Sequence, residues 1–195
     1  MVKYSGDTKE DERLWHTYLY WARKEARFPE SDVPPKKKAN VDNPDNRIDE
    51  KHAAALRIIL FSCLALEYRL RRVHKALNIS CKDSESETLW PFFKKFWKRL
   101  RETRKQEGVD FCTPPPEWAD VEPDLKFLIR LRDKIVHAHY RETLQFIFTT
   151  QDPIARAREL YRAVIHAIRL INQGTGYDPR DPKELEEHFS SLMVY

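Results

Sequence analysis

The chain has 195 residues, enough for one well-buried core. Only four residues are Gly, which argues against an all-β fold, and the 34% charged residues among plentiful long apolar ones suit helices with one apolar and one charged face. A net charge of +4 permits nucleic acid as a partner without requiring it, and the three cysteines, Cys63, Cys81 and Cys112, lack the spacing of a zinc site or a disulfide framework.

The N-terminal segment has no apolar run of the signal-peptide kind, so a cytoplasmic protein with reduced thiols is expected. A first helix is predicted over about Lys9 to Arg27, capped by Asp7 or Thr8, with Leu14, Tyr18, Trp21 and Glu25 at helical spacing and Trp15 and Leu19 beside them. Residues 28–46 follow as a Pro- and Lys-rich linker whose prolines and Asn/Asp density exclude regular structure. Its run Lys36, Lys37, Lys38 reads first as a solvated charge cluster and second as a phosphate contact.

A long second helix is predicted from Ile48 to Leu77, with Ala55, Ile59, Ser62, Cys63, Leu66, Leu70 and Val73 as its inward stripe. Its apolar run, Ala53 to Leu66, is broken by Arg57 and too short to span a bilayer, so no membrane span is expected. The third helix begins at the capping box Ser84–Glu87 and runs to about Glu107, with Pro91 near its first turns. Trp90, Phe93 and Trp97 lie on one side, Lys94, Lys95, Lys98, Arg101 and Lys105 around the others. The plain reading is an aromatic core stripe backed by a solvated basic side; RNA or an acidic membrane surface is the alternative.

The turn CTPPPEW leads to a fourth helix, Val121 to Tyr140, capped by Asp120. Leu144 to Thr149 reads as a short extended piece or a loop. Asp152 as cap and Pro153 at the first helical position open the fifth helix, whose face Ile154, Ala157, Leu160, Tyr161, Val164, Ile168 and Ile171 ends at Gly174. Asp181–Pro182 repeats that start signal for a short last helix. The expected fold is therefore all-α: a bundle of four to five main helices with an N-terminal helical arm and a short C-terminal helix. The chain divides into 1–47, arm and linker; 48–174, bundle; and 175–195, tail.

The fourth helix breaks its own pattern. Leu125, Leu128, Ile129, Ile135 and Val136 define an apolar face, and Arg132 sits within it, four residues after Leu128 and four before Val136. A guanidinium keeps its proton and is costly to bury alone, so a carboxylate, a carbonyl or an incoming phosphate must meet it. His139, seven residues on, projects from the same face; His137, five on, lies roughly 140° around the helix. Arg132 and His137 therefore meet only around a curved groove, through a local break in the helix, or across a symmetric dimer. Asp133 is placed four residues before His137 to orient its imidazole.

At these residues the chain resembles the HEPN superfamily, whose hallmark is an Arg followed after four to six residues by a His, often with a polar residue directly after the Arg. Here that is Arg132-Asp133-Lys134-Ile135-Val136-His137. The bare spacing also occurs at Arg47–His52, Arg69–His74, Arg130–His137 and Arg132–His139; the polar residue after Arg132, the apolar pair before His137, the core-face Arg and the late helical position favour Arg132–His137. The segment LALEYRLRRV resembles the family's acidic position opposite the motif, here Glu67. A toxin subgroup has Tyr two residues after the His, where this chain has His139; Tyr140 falls one place late.

The resemblance implies a helical bundle, a homodimer and RNA cleavage without a metal or other cofactor. Arg132 and His137 then act on the phosphate and the proton, with Asp133 orienting the His and with Glu67, His139 and Tyr140 in support. Arg69, Arg72 and Lys98 are expected to guide an RNA strand, and an antitoxin or other protein is a candidate partner. The other reading is a non-catalytic helical module that dimerises and binds RNA or a protein. In that reading Arg132 pairs with Glu67 or another helix carboxylate for structure alone, and His137 is a surface histidine near a helix end.

Overall fold

A computed structural model describes residues 9–27, 50–77, 79, 88–106, 114–136, 152–176, 187 and 190. All their extended regular structure is helical: α1 (Lys9–Ala26), α2 (Glu50–Ala76), α3 (Leu89–Gln106), α4 (Trp118–Val136) and α5 (Pro153–Thr175). None of these helices is long and apolar enough to cross a membrane. The expected cap at Asp7 or Thr8, the linker with Lys36 to Lys38, the capping box Ser84–Glu87, the segment Leu144–Thr149 and the start signal Asp181–Pro182 lie outside the described residues. So do Cys81 and Cys112.

Helix α2 is the axis of the bundle. Its 27 residues contain neither Gly nor Pro, so nothing interrupts the i to i−4 ladder. One side presents Ala55, Ile59, Cys63, Leu66, Leu70 and Val73, all fully buried, as the sequence stripe predicts. α1 and α5 both pack along α2 and touch each other, with α3 and α4 completing the bundle.

α1 is a full member of that bundle rather than an arm. Trp15, Leu19, Ala22 and Ala26, at i, i+4, i+7 and i+11, are at most 2% exposed and belong to the common core. This turns the helix by about one residue from the face expected from its large side chains. Trp21 is 39% exposed and stacks outside, beside Phe61 and beneath the Lys24 ammonium.

The buried face of α3 is Leu89, Phe92, Phe93, Phe96, Trp97 and Leu100. Each such side chain stabilises the fold by about 1.5–3 kcal/mol when removed from water. Trp90, expected in the stripe, sits at its edge between Lys94 and Arg130. α4 starts at Trp118, earlier than expected, after a tight turn in which the N–H groups of Trp118, Ala119 and Asp120 donate to the carbonyls three residues back. Asp120 therefore lies inside the first turn, where its charge suits the helix dipole.

At α5 the Asp152 side chain accepts from the Ala155 N–H at 3.1 Å, with Pro153 in the first turn. Burial opposes ionisation of Asp152, but this bond and Lys51 at 3.5 Å outweigh it and hold the carboxyl below its usual range. The helix does not stop at Gly174. It runs on to Thr175 and is capped by Gly176 at φ 61°, the left-handed conformation that suits glycine. Gly174 matters for close approach instead, since a Cβ there would lie 2.8 Å from Trp97 Cη2 and 3.3 Å from Pro115 Cδ. Its bare backbone lets α5 close on an aromatic joint in which Trp118 stacks on Phe93 at 5.5 Å and meets the edge of Trp97 at 5.1 Å.

Candidate functional site

Arg132 is held at the contact of α4 with α2. Leu125 and Leu128, two turns and one turn before it, are fully buried and fix that side of α4 against the core. The Arg132 side chain emerges at the rim, 21% exposed. Its Nη2 donates to Glu67 Oε2 of α2 at 3.4 Å and its Nη1 to Asp133 Oδ1 at 3.0 Å. The acidic position expected opposite the motif thus does face Arg132.

Glu67 is shared. Its other oxygen, Oε1, accepts from Arg71 Nε at 3.0 Å and lies 2.9 Å from Arg71 Nη2. Two guanidiniums and two carboxylates form a balanced cluster, so neither acid stands as an uncompensated charge. Arg71 is absent from the site expected from the sequence, although its place four residues after Glu67 is the ordinary signal for such a pair.

Burial alone would lower the pKa of Arg132, but the bond to Asp133 and the field of Glu67 more than offset it, and the pKa is raised. Arg132 therefore keeps its charge throughout the range where an imidazole titrates. Cys63, one turn before Glu67, lies fully buried beneath the cluster. Burial pushes its thiol far above the usual range; the nearby Arg132 charge pulls it down and Glu67 pushes it up. It is a protonated core group.

Among the described residues, Nε of Arg132 and the second hydrogen of each Nη have no partner. The same holds for Oδ2 of Asp133. Within the described residues the guanidinium is thus anchored through part of its fork only.

Val136, assigned to the apolar face, is 53% exposed at the end of described α4, while Leu131 is 4% exposed and belongs to the core. His137, His139 and Tyr140 lie outside the described residues. Arg69, expected to guide RNA, is 1% exposed instead. Its Nε donates to Asn172 Oδ1 at 2.8 Å, its Nη2 bonds the same oxygen, and its guanidinium lies 5.1 Å from the Trp15 ring. A side chain consumed in this way is a link between α2 and α5 and offers nothing to a strand. Arg72 is half-buried; Lys98 is exposed, 3.9 Å from Glu102.

Comparison of the chain with protein-family models, with curated proteins and with solved structures finds no match.

Proposed function

We propose that the chain is an endoribonuclease of HEPN type that cleaves RNA without a metal. The observation that carries this reading is the state of Arg132: anchored by Glu67 and Asp133, permanently charged, and partly open at the rim, with donors to spare among the described residues. Such a group is oriented before any ligand arrives, which is how a fixed donor stabilises charge that develops in a transition state.

In this reaction the ribose 2′-oxygen attacks the adjacent phosphorus and the bond to the 5′-oxygen breaks, leaving a 2′,3′-cyclic phosphate and a 5′-hydroxyl. His137 takes the proton from the 2′-hydroxyl or supplies one to the leaving oxygen. Arg132 binds the non-bridging oxygens through its uncommitted hydrogens. Asp133 orients the imidazole of its own chain or of a dimer mate, and His139 and Tyr140 have supporting roles.

The test is cleavage of a labelled RNA in the presence of chelator. Arg132→Ala and His137→Ala should each slow the reaction by about 10²–10⁴-fold. The rate should follow the titration of one imidazole, with no inflection from the guanidinium. Undiminished cleavage in both variants would sink the assignment.

A second reading has its own observation. Both carboxylates beside Arg132 already neutralise it, as they would in a module where the arginine only joins α4 to α2. A chain that cleaves no RNA yet dimerises or captures RNA or a protein, with Arg132→Ala changing stability alone, would favour that reading.

A further inference from the structure

Helix α3 carries seven Lys and Arg residues against one acid, Glu102. Their arrangement is uneven. Lys94, Lys98, Arg101 and Lys105 stand at i, i+4, i+7 and i+11, so they fall within about 60° of one another around the helix. All four are exposed, and together they make a ridge about 16 Å long. Glu102 lies beside the ridge, 3.9 Å from Lys98 and 60% exposed, too weakly held to neutralise it. At its N-terminal end the ridge continues onto α4: Lys94 and Arg130 both lie over the ring of Trp90, at 5.8 and 5.5 Å, and Arg130 is exposed.

We propose that this track, from Lys105 through Lys94 to Arg130, binds the phosphodiester backbone of a nucleic acid. A single row of cations a few ångströms apart suits a ligand that carries its charges in a row, and a nucleic-acid strand presents one about every 3.4 Å of duplex axis. An anionic membrane is the competing occupant of a basic helix. It is disfavoured because a helix lying in a bilayer surface needs an apolar face to insert. Here that face, Leu89, Phe92, Phe93, Phe96, Trp97 and Leu100, is spent in the core. The track does not depend on the cleavage reading: none of its members belongs to the cluster of Arg132, Glu67, Arg71 and Asp133.

The experiment is fluorescence anisotropy with the full chain and labelled single-stranded RNA, single-stranded DNA and duplex RNA, across a salt series. The fourfold variant K94Q/K98Q/R101Q/K105Q is compared with a control, K24Q/K75Q/K126Q, that removes cations elsewhere. The track variant should bind the preferred nucleic acid at least about tenfold more weakly at moderate salt. For a single strand it should also lose about 2 to 3 from the slope of log affinity against log salt. Equal weakening in the control, an unchanged slope, or no nucleic-acid binding by the parent chain overturns the proposal. So does track-dependent binding to phosphatidylserine vesicles without nucleic-acid binding. Arg132→Ala separates the two readings: it should slow cleavage by about 10²–10⁴-fold and take no more than about 0.7 from the salt slope, one phosphate contact, so failure of one is visible apart from failure of the other.

Discussion

Among the arginines that join helices in this bundle, Arg69 and Arg132 do so in opposite ways. Arg69 runs from α2 to α5, is 1% exposed, and meets a neutral amide, Asn172, and the face of Trp15. Arg132 runs from α4 to α2 at the rim, is 21% exposed along its side chain, and meets two carboxylates. The first has been taken out of water, and an amide oxygen and a ring are among the groups that replace it. The second keeps water access and a full counter-charge, so its fold-stabilising role is small while its fork remains available. Burial and spare donors, rather than the presence of a cross-helix pair, separate a structural link from a candidate site.

That contrast predicts unequal costs. Asn172→Leu keeps side-chain bulk but removes from the core the amide oxygen that accepts from Arg69, and should cost about 1.5–3 kcal/mol in urea denaturation. Arg132→Met should cost about 1 kcal/mol or less, because the pair keeps water access at the rim and Glu67 retains Arg71 as a partner. Equal costs would erase the distinction. Gly174→Ala comes next in size. The added methyl meets Trp97 at 2.8 Å, and overpacking of this kind costs about 1–3 kcal/mol, of which better helix propensity returns up to about 1. Because Gly174 shares the last turns of α5 with Asn172, this variant should weaken the fold on the Arg69 side and leave RNA cleavage at the parent rate. A matching loss of cleavage would show the two regions to be coupled.

The sequence makes one member of this comparison visible and conceals the other. Arg132 stands out because Leu125 and Leu128 set a period that it interrupts, and the sequence also offers Glu67 as its opposing acid. Arg69 is easily mistaken for a surface cation because RLRRV looks like the basic end of an amphipathic helix. Yet Arg69 stands four residues after Ala65 and four before Val73, both fully buried, so its own period places it inward. α1 misleads for a related reason: its seam includes Ala22 and Ala26, whose small side chains give a weak apolar signal beside the conspicuous Trp21. Asp152 and Pro153 are legible because cap chemistry is local. The end of the same helix is not, because Gly174 and Gly176 differ only in what surrounds them: one faces Trp97, the other turns the chain. The roles of His137, His139 and Tyr140 rest on the sequence alone.

The smallest effect bears most directly on Glu67. Its two oxygens serve two arginines: Arg71, one turn away on its own helix, and Arg132, across the interface. If Glu67 belongs to the site, its energy of interaction with Arg132 should exceed that with Arg71. A double-mutant cycle with Glu67→Gln and Arg132→Met should give a coupling of about 1 kcal/mol, since the pair is partly shielded and links two helices. The cycle with Arg71→Met should give about 0.3–0.5 kcal/mol, the value of an i,i+4 pair on a helix surface. Added salt should shrink the Arg71 coupling more, because its side chain is 31% exposed against 21% for Arg132. A larger coupling to Arg71 would make Glu67 a helix-surface acid that Arg132 merely approaches at 3.4 Å. Arg132 would then lean on Asp133 alone, and its guanidinium would lose the cross-helix anchor on which its preorganisation rests.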